Sequence, residues 1–70
     1  VLKKLDTGEE VKILQQKLGI KVDGVFGPIT EECVKQFQRI NALEVDGIVG
    51  PKTWEKLDLK ILILNVLMIV

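Results

Sequence analysis

The sequence predicts a mainly α fold: a small three-helix bundle built from a 23-residue internal repeat, with two Asp-Gly loops and very short extended segments. Three observations predict it. Val22-Asp23-Gly24-Val25-Phe26-Gly27-Pro28-Ile29-Thr30 returns as Val45-Asp46-Gly47-Ile48-Val49-Gly50-Pro51-Lys52-Thr53, with six of nine positions identical. The same offset carries Val11, Leu14 and Gln15 onto Val34, Phe37 and Gln38, and Thr7, Glu9 and Val11 onward to Thr53, Glu55 and Leu57. Apolar residues before each loop recur at helical spacing. The chain is therefore two full units and part of a third, each a helix followed by an Asp-Gly loop.

In the first unit, Val11, Leu14 and Leu18 form one apolar stripe of a helix. Thr7 followed three residues later by Glu10 is a capping-box pattern, so the helix is expected to start near Gly8. Gly19 stands where a left-handed C-terminal stop belongs. The second helix is expected from Pro28 or Ile29 to Asn41, since proline suits a first turn whose N–H groups lack helical partners. Its expected stripe is Val34, Phe37 and Ile40. The third starts at Pro51 or Lys52 and carries Trp54 and Leu57. The apolar pairs Val25-Phe26 and Ile48-Val49 are expected to plug the core, and as equivalent stretches they can pair briefly with each other.

Composition excludes several functions. Seventy residues make one domain, which buries about 60% of its unfolded surface and leaves no room for a large catalytic cleft. With no His and one Cys, zinc sites of the Cys/His kind and imidazole-based triads are absent, as is an internal disulfide. Ten basic residues balance ten acidic ones, which argues against nucleic-acid binding. Nothing calls for a cofactor, and the alternating oxygen ligands of a calcium loop are missing. All twenty charges precede residues 61–70, where only Asn65 is polar. The chain divides into a module over 1–58 and an apolar tail over 59–70. That tail is too short to span a membrane and has the profile of a self-associating segment. The chain opens on Val1 and not on Met, which reads as a piece of a longer protein; no secretory signal is visible, but a fragment would have lost one, so compartment is not read from that.

The doubled Val-Asp-Gly-x-x-Gly-Pro-x-Thr, with Val34-x-x-Phe37-Gln38 between the copies and Trp54 after the second, closely resembles the peptidoglycan-binding-like domain. That three-helix module is attached to bacterial and phage cell-wall hydrolases. Asp6-Thr7-Gly8-Glu9-Glu10-Val11 and Leu14-Gln15-Gln16-Lys17-Leu18 match its opening, so the likeness spans residues 2 to 57. It implies a non-catalytic module, extracellular or wall-associated, that binds peptidoglycan through stem peptide or glycan. It would target a hydrolase domain attached in cis, an amidase, peptidase or muramidase. The family usually has glycine where Leu5 and Ala42 stand and a small residue where Cys33 stands. All three are packing or turn positions.

The ligand-binding candidates are Asp23, Gly24, Asp46, Gly47, Gln15, Gln38 and Trp54. The Asp-Gly pairs can hydrogen-bond a ligand's amides or sugar hydroxyls, or can close side-chain-to-backbone turns with glycine at positive φ. Gln15 and Gln38 can point their amides at a ligand or bridge the backbone of the adjacent loop. Trp54 and Phe26 can stack on a sugar or fill the core. Cys33, flanked by Glu31 and Glu32, reads as a packing thiol. The alternative is a prosegment-like inhibitory or protein-interaction domain of a larger protein. Metalloproteinase prosegments share the fold by resemblance, but their Pro-Arg-Cys-Gly motif is not what surrounds Cys33.

Overall fold

A computed structural model of the chain describes residues 1–59. Beyond residue 59, the expected apolar tail and its self-associating stretch lie outside the described residues. Three helices form: α1 over Glu9–Leu18, α2 over Pro28–Ile40, and α3 over residues 51–59. No sheet is present among the described residues; two isolated antiparallel bridges take its place.

α1 starts next to Gly8 as expected, but its cap differs from expectation. Its N-cap is Gly8, not Thr7, and no side chain caps it, so the Thr7–Glu10 capping box does not form. Long-range pairing overrides the local signal. Thr7 bridges antiparallel to Val25, and the Gly8 N–H donates to the Gly24 carbonyl at 3.0 Å. The backbone is thus extended through Thr7 and turns into the helix at Gly8, whose φ of 118° favours glycine. Glu9 and Glu10 in the first turn and Lys17 in the last complement the helix dipole. The helix ends as expected at Gly19, left-handed with φ 74°, its N–H donating to the Gln16 carbonyl.

In α2, Pro28 occupies the first turn behind Gly27. Val34 is buried, and Phe37 packs against the core from a partly buried position. Ile40, expected on the same stripe, is 83% exposed. Six residues beyond Val34 it has turned about 240°, away from the core. The repeat pairs Leu18 with Asn41 rather than with Ile40, and Asn41 turns its amide back to the Phe37 carbonyl at 2.9 Å. Gln38, four residues past Val34, takes the buried position instead.

The short extended stretches do not pair with each other. Residues 2–7 run between the two loops and satisfy both. Leu2 and Val49 exchange N–H···O bonds of 3.1 and 2.8 Å, the Leu5 N–H donates to the Phe26 carbonyl, and the Phe26 N–H donates to the Asp6 carbonyl. The N-terminal segment brings unpaired N–H and C=O groups of its own, so threading it between the loops gives all three stretches partners. Side chains alternate as strand geometry requires. Phe26 and Val49 are fully buried, while Val25 and Ile48 face outward at 49% and 39% exposure.

Leu2, Val11, Leu14, Phe26, Val34, Val49 and Leu57 form the core, with Leu18, Phe37 and Trp54 packed around it. Each fully buried side chain of this size stabilises by about 1.5–3 kcal/mol, so the seven among the described residues are a lean supply. On the surface, Lys17 Nζ meets Asp58 Oδ1 at 2.6 Å and ties α1 to α3, and Lys35 meets Glu31 at 3.8 Å along α2. Pairs this exposed add at most about 1 kcal/mol.

Candidate functional site

Two buried glutamines build the loops. Gln15 lies on the inner face of α1, and its Oε1 accepts the N–H groups of Asp23 and Gly24 at 3.0 and 2.9 Å. Those two donors fix the orientation of the amide. Its Nε2 donates to Asp23 Oδ1 at 2.8 Å, to the Val25 carbonyl at 3.0 Å and to Thr30 Oγ1 at 3.2 Å. One side chain thereby joins α1, the loop that follows it and the first turn of α2. Gln38 repeats the arrangement on Asp46, Gly47, Ile48 and Thr53, tying α2 to its loop and to α3. No buried side-chain polar atom among the described residues lacks a partner.

Each loop aspartate closes its own turn. Asp23 Oδ1 accepts the Val25 N–H at 3.0 Å, and Asp46 Oδ1 accepts the Ile48 N–H at 2.9 Å. These backbone bonds, followed by the glutamine amides, hold both carboxyls below their ordinary value. Between each Asp and its bonded N–H the chain passes through Gly24 or Gly47, left-handed at φ 76° and 72°. Asp23, Gly24, Asp46, Gly47, Gln15 and Gln38 are thus brought together as two turn-and-amide units, the glutamine amides buried and the aspartates exposed above them. Trp54 is half-buried against the core, and Phe26 lies inside it.

The two units differ in what surrounds them. At the second, an open cleft of about 530 Å³ lies between the end of α2, the Asp46 loop and the start of α3. That volume suits a small ligand or a short stretch of polymer. Gln38, Asp46 and Thr53 form part of its wall. Ala42, Leu43, Ile48 and Pro51 supply an aliphatic surface, Val1 borders it, and Glu44 and Lys52 bring opposite charges. None of the chain's three aromatic residues lines it.

Sequence reasoning singled out Gln38 and Asp46 but missed Glu44, Lys52 and Ala42. A signal for them exists in the repeat itself. Glu44 corresponds to Lys21, Lys52 to Ile29 and Ala42 to Gly19. Residues shared by the two units build the scaffold, and the cleft draws its distinguishing chemistry from positions where the units differ.

Residues 7–57 match the family described as "Putative peptidoglycan binding domain". No curated protein sequence matches the chain. Among solved structures, the SleB N-terminal domain superposes with a TM-score of 0.77 at 39% identity, covering 80% of this chain and 85% of that one. The endolysin of the Burkholderia phage AP3 gives a TM-score of 0.78 at 38% identity, and 80% of this chain corresponds to 24% of that protein. A fused Zn-dependent amidase, peptidase and peptidoglycan-binding domain-containing protein from Clostridium acetobutylicum gives 0.78 at 36% identity, covering 80% of this chain and 28% of that one.

Proposed function

The chain belongs to the family of peptidoglycan-binding domains, and from that premise we propose that it binds bacterial cell-wall peptidoglycan without cleaving it and targets an attached hydrolase domain to that polymer. The observation that carries the reading is the family match over residues 7–57 in a chain whose second Asp-Gly loop borders an open cleft. The endolysin and amidase relatives support the attachment in cis, because in each the matching portion is a minor part of a longer protein. The described residues include no cluster of three or more His, Cys, Asp or Glu that could hold a metal ion. The composition has no imidazole to act as a base.

The Asp46 loop and the start of α3 offer the ligand-facing surface. Gln38, Asp46 and Gly47 hold that surface in shape, while Gln15, Asp23 and Gly24 do the same for the opposite loop. Trp54 supports the start of α3 from the core side. A shallow cleft on so small a domain binds weakly, since little area is buried against the cost of association. Tethering to a catalytic domain compensates by raising the effective concentration on a polymer with many equivalent sites. Such a module works where the polymer is, outside the cell membrane.

The test is co-sedimentation of the chain with purified sacculi, with turbidity followed in parallel. The expected result is retention without clearing. Clearing of the suspension by the pure chain would refute the non-catalytic assignment. Equal loss of the chain from the supernatant with and without sacculi would refute the binding assignment.

A further inference from the structure

We propose that the cleft at the second loop takes the stem peptide of peptidoglycan and not its glycan strand, with Glu44 and Lys52 meeting an ammonium and a carboxylate on that peptide. The inference rests on the peptidoglycan-binding reading and specifies the moiety bound.

Three features of the cleft point to a peptide. Its apolar surface is aliphatic, from Ala42, Leu43, Ile48 and Pro51. Sugar rings are held chiefly by aromatic faces, whose flat apolar surface matches that of a pyranose, and none is present here. Phe26 lies inside the core, and Trp54 and Phe37 pack against it away from the cleft lining. Small methyl side chains, of the kind a stem peptide carries, fit an aliphatic wall.

The second feature is charge. Glu44 and Lys52 both line the cleft, and neither makes a side-chain hydrogen bond or ion pair among the described residues. Asp46, the other carboxylate there, gives its Oδ1 to the loop, where it accepts from Gln38 and from the Ile48 N–H, and so is held in place by the turn. Among its side chains, the cleft therefore presents one carboxylate and one ammonium that the fold does not use, Glu44 and Lys52. A glycan strand whose lactyl carboxyls are tied up as amides to the stem peptides has no charge to meet either. A stem peptide has both, the side-chain ammonium of its diamino acid and free carboxylates.

The third feature is the repeat. The first loop has the same glutamine, aspartate, glycine, proline and threonine, yet at the matching positions it carries Lys21 and Ile29. The scaffold does not need opposite charges at these places, because the first unit forms the same hydrogen bonds without them. The charge pair is a property of the cleft and not of the fold.

The experiment is sacculus co-sedimentation of the whole chain in the presence of competitors. These are soluble stem peptides and peptide-free glycan strands, both obtained from one amidase digest of the same sacculi, the strands being methyl-esterified at the lactyl carboxyls that the digest frees. Stem peptides are expected to displace the chain and glycan strands to leave it bound. Glu44→Gln and Lys52→Gln are each expected to weaken retention by about threefold to tenfold, and added salt to weaken the wild type. Lys21→Gln, at the corresponding place on the first loop, is expected to bind as wild type. Melting curves of all three variants should overlay at neutral pH, since the substituted side chains are exposed and make no hydrogen bond, and the attraction of Lys21 for Asp23 is screened by solvent. Displacement by glycan and not by peptide would overturn the inference, as would wild-type binding by both cleft variants. Failure of the wild-type chain to bind sacculi at all would remove the peptidoglycan reading, a result separable from these.

Discussion

Gln15 and Gln38, one repeat apart on successive helices, make the same five side-chain hydrogen bonds, and no donor–acceptor distance differs between the two sets by more than about 0.2 Å. An Nε2 with two hydrogens serves three acceptors in each set, so one hydrogen is shared. What repeats in this chain is less a helix than a fastening: one amide that locks a helix, its loop and the next helix in a single step. The core of seven buried apolar side chains among the described residues gains a unique arrangement from such fastenings.

Gln15→Ala and Gln38→Ala should each cost about 2–4 kcal/mol. Removal of the amide leaves two N–H groups and a threonine hydroxyl without partners in a buried or part-buried setting, and at Gln38 the Ile48 carbonyl as well, whereas the Val25 carbonyl keeps the Gly27 N–H. For 70 residues the whole stability is on the order of 4–10 kcal/mol. Either variant is therefore expected to lose much of its cooperative melting transition by circular dichroism. A melting curve like that of wild type would show that water replaces the amide at little cost.

Acid should weaken the fold through the loop aspartates. Their carboxyls are held below the ordinary value of 3.8, first by the N–H groups of Val25 and Ile48 and then by the glutamine amides. A carboxyl depressed in the folded state adds stability that is fully present above its unfolded value. That stability is lost as pH falls through the folded value. Melting temperature should therefore drop below about pH 4. In Asp23→Asn and Asp46→Asn, Oδ1 still accepts the same bonds while the titration is removed, so the acid limb should be shallower. An unchanged acid limb in the double variant would assign it to other groups.

Gly24→Ala and Gly47→Ala should each destabilise by more than about 1 kcal/mol, because both sites are left-handed. The second should cost more. A Cβ at Gly47 would sit 3.1 Å from Lys35 Cε and 3.2 Å from Glu31 Cγ, crowding two side chains. At Gly24 the close neighbour is Lys12 alone. Chemical denaturation of both variants would reveal the order, and equal midpoints would show that φ alone sets the cost.

The legible part of the fold was its periodicity. Val11, Leu14, Gly19 and Pro28 announce their places by spacing and turn chemistry, because those signals are local and the repeat states them twice. Three features were not legible because distant segments decide them. Thr7 loses its capping role to a bridge with Val25, residues away in the sequence. Val25-Phe26 and Ile48-Val49 look like partners, yet the N-terminal segment competes for both. Ile40 has the right hydrophobicity at the wrong angle. Of the candidate site, Gln38 and Asp46 were visible as repeated polar residues on an apolar background. Glu44, Lys52 and Ala42 look like ordinary variation, and only the cleft gathers them.

Leu5 and Ala42 carry the last prediction. They are the two non-glycine residues with positive φ among the described residues, at 84° and 56°. Ala42 corresponds to Gly19 in the repeat and makes the same closing turn, with the Leu43 N–H donating to the Gln38 carbonyl as the Ile20 N–H does to Gln15. A side chain in this region costs about 1–2 kcal/mol, while glycine returns about 0.5–1 kcal/mol of that through the greater freedom of the unfolded chain. Leu5→Gly and Ala42→Gly should therefore each gain up to about 1 kcal/mol. For a domain of this size, that raises the melting temperature by several degrees. Leu5 is 83% exposed, so its replacement gives up little packing. The two variants should part company in binding. Leu5 is not among the residues lining the cleft, and Leu5→Gly should retain wild-type affinity for sacculi. Ala42 lines it, and Ala42→Gly removes a methyl from the aliphatic wall, so the more stable protein should bind more weakly. Calorimetric melting paired with co-sedimentation separates the two effects. A destabilised Ala42→Gly would show that its methyl contributes more to the fold than the strain it imposes.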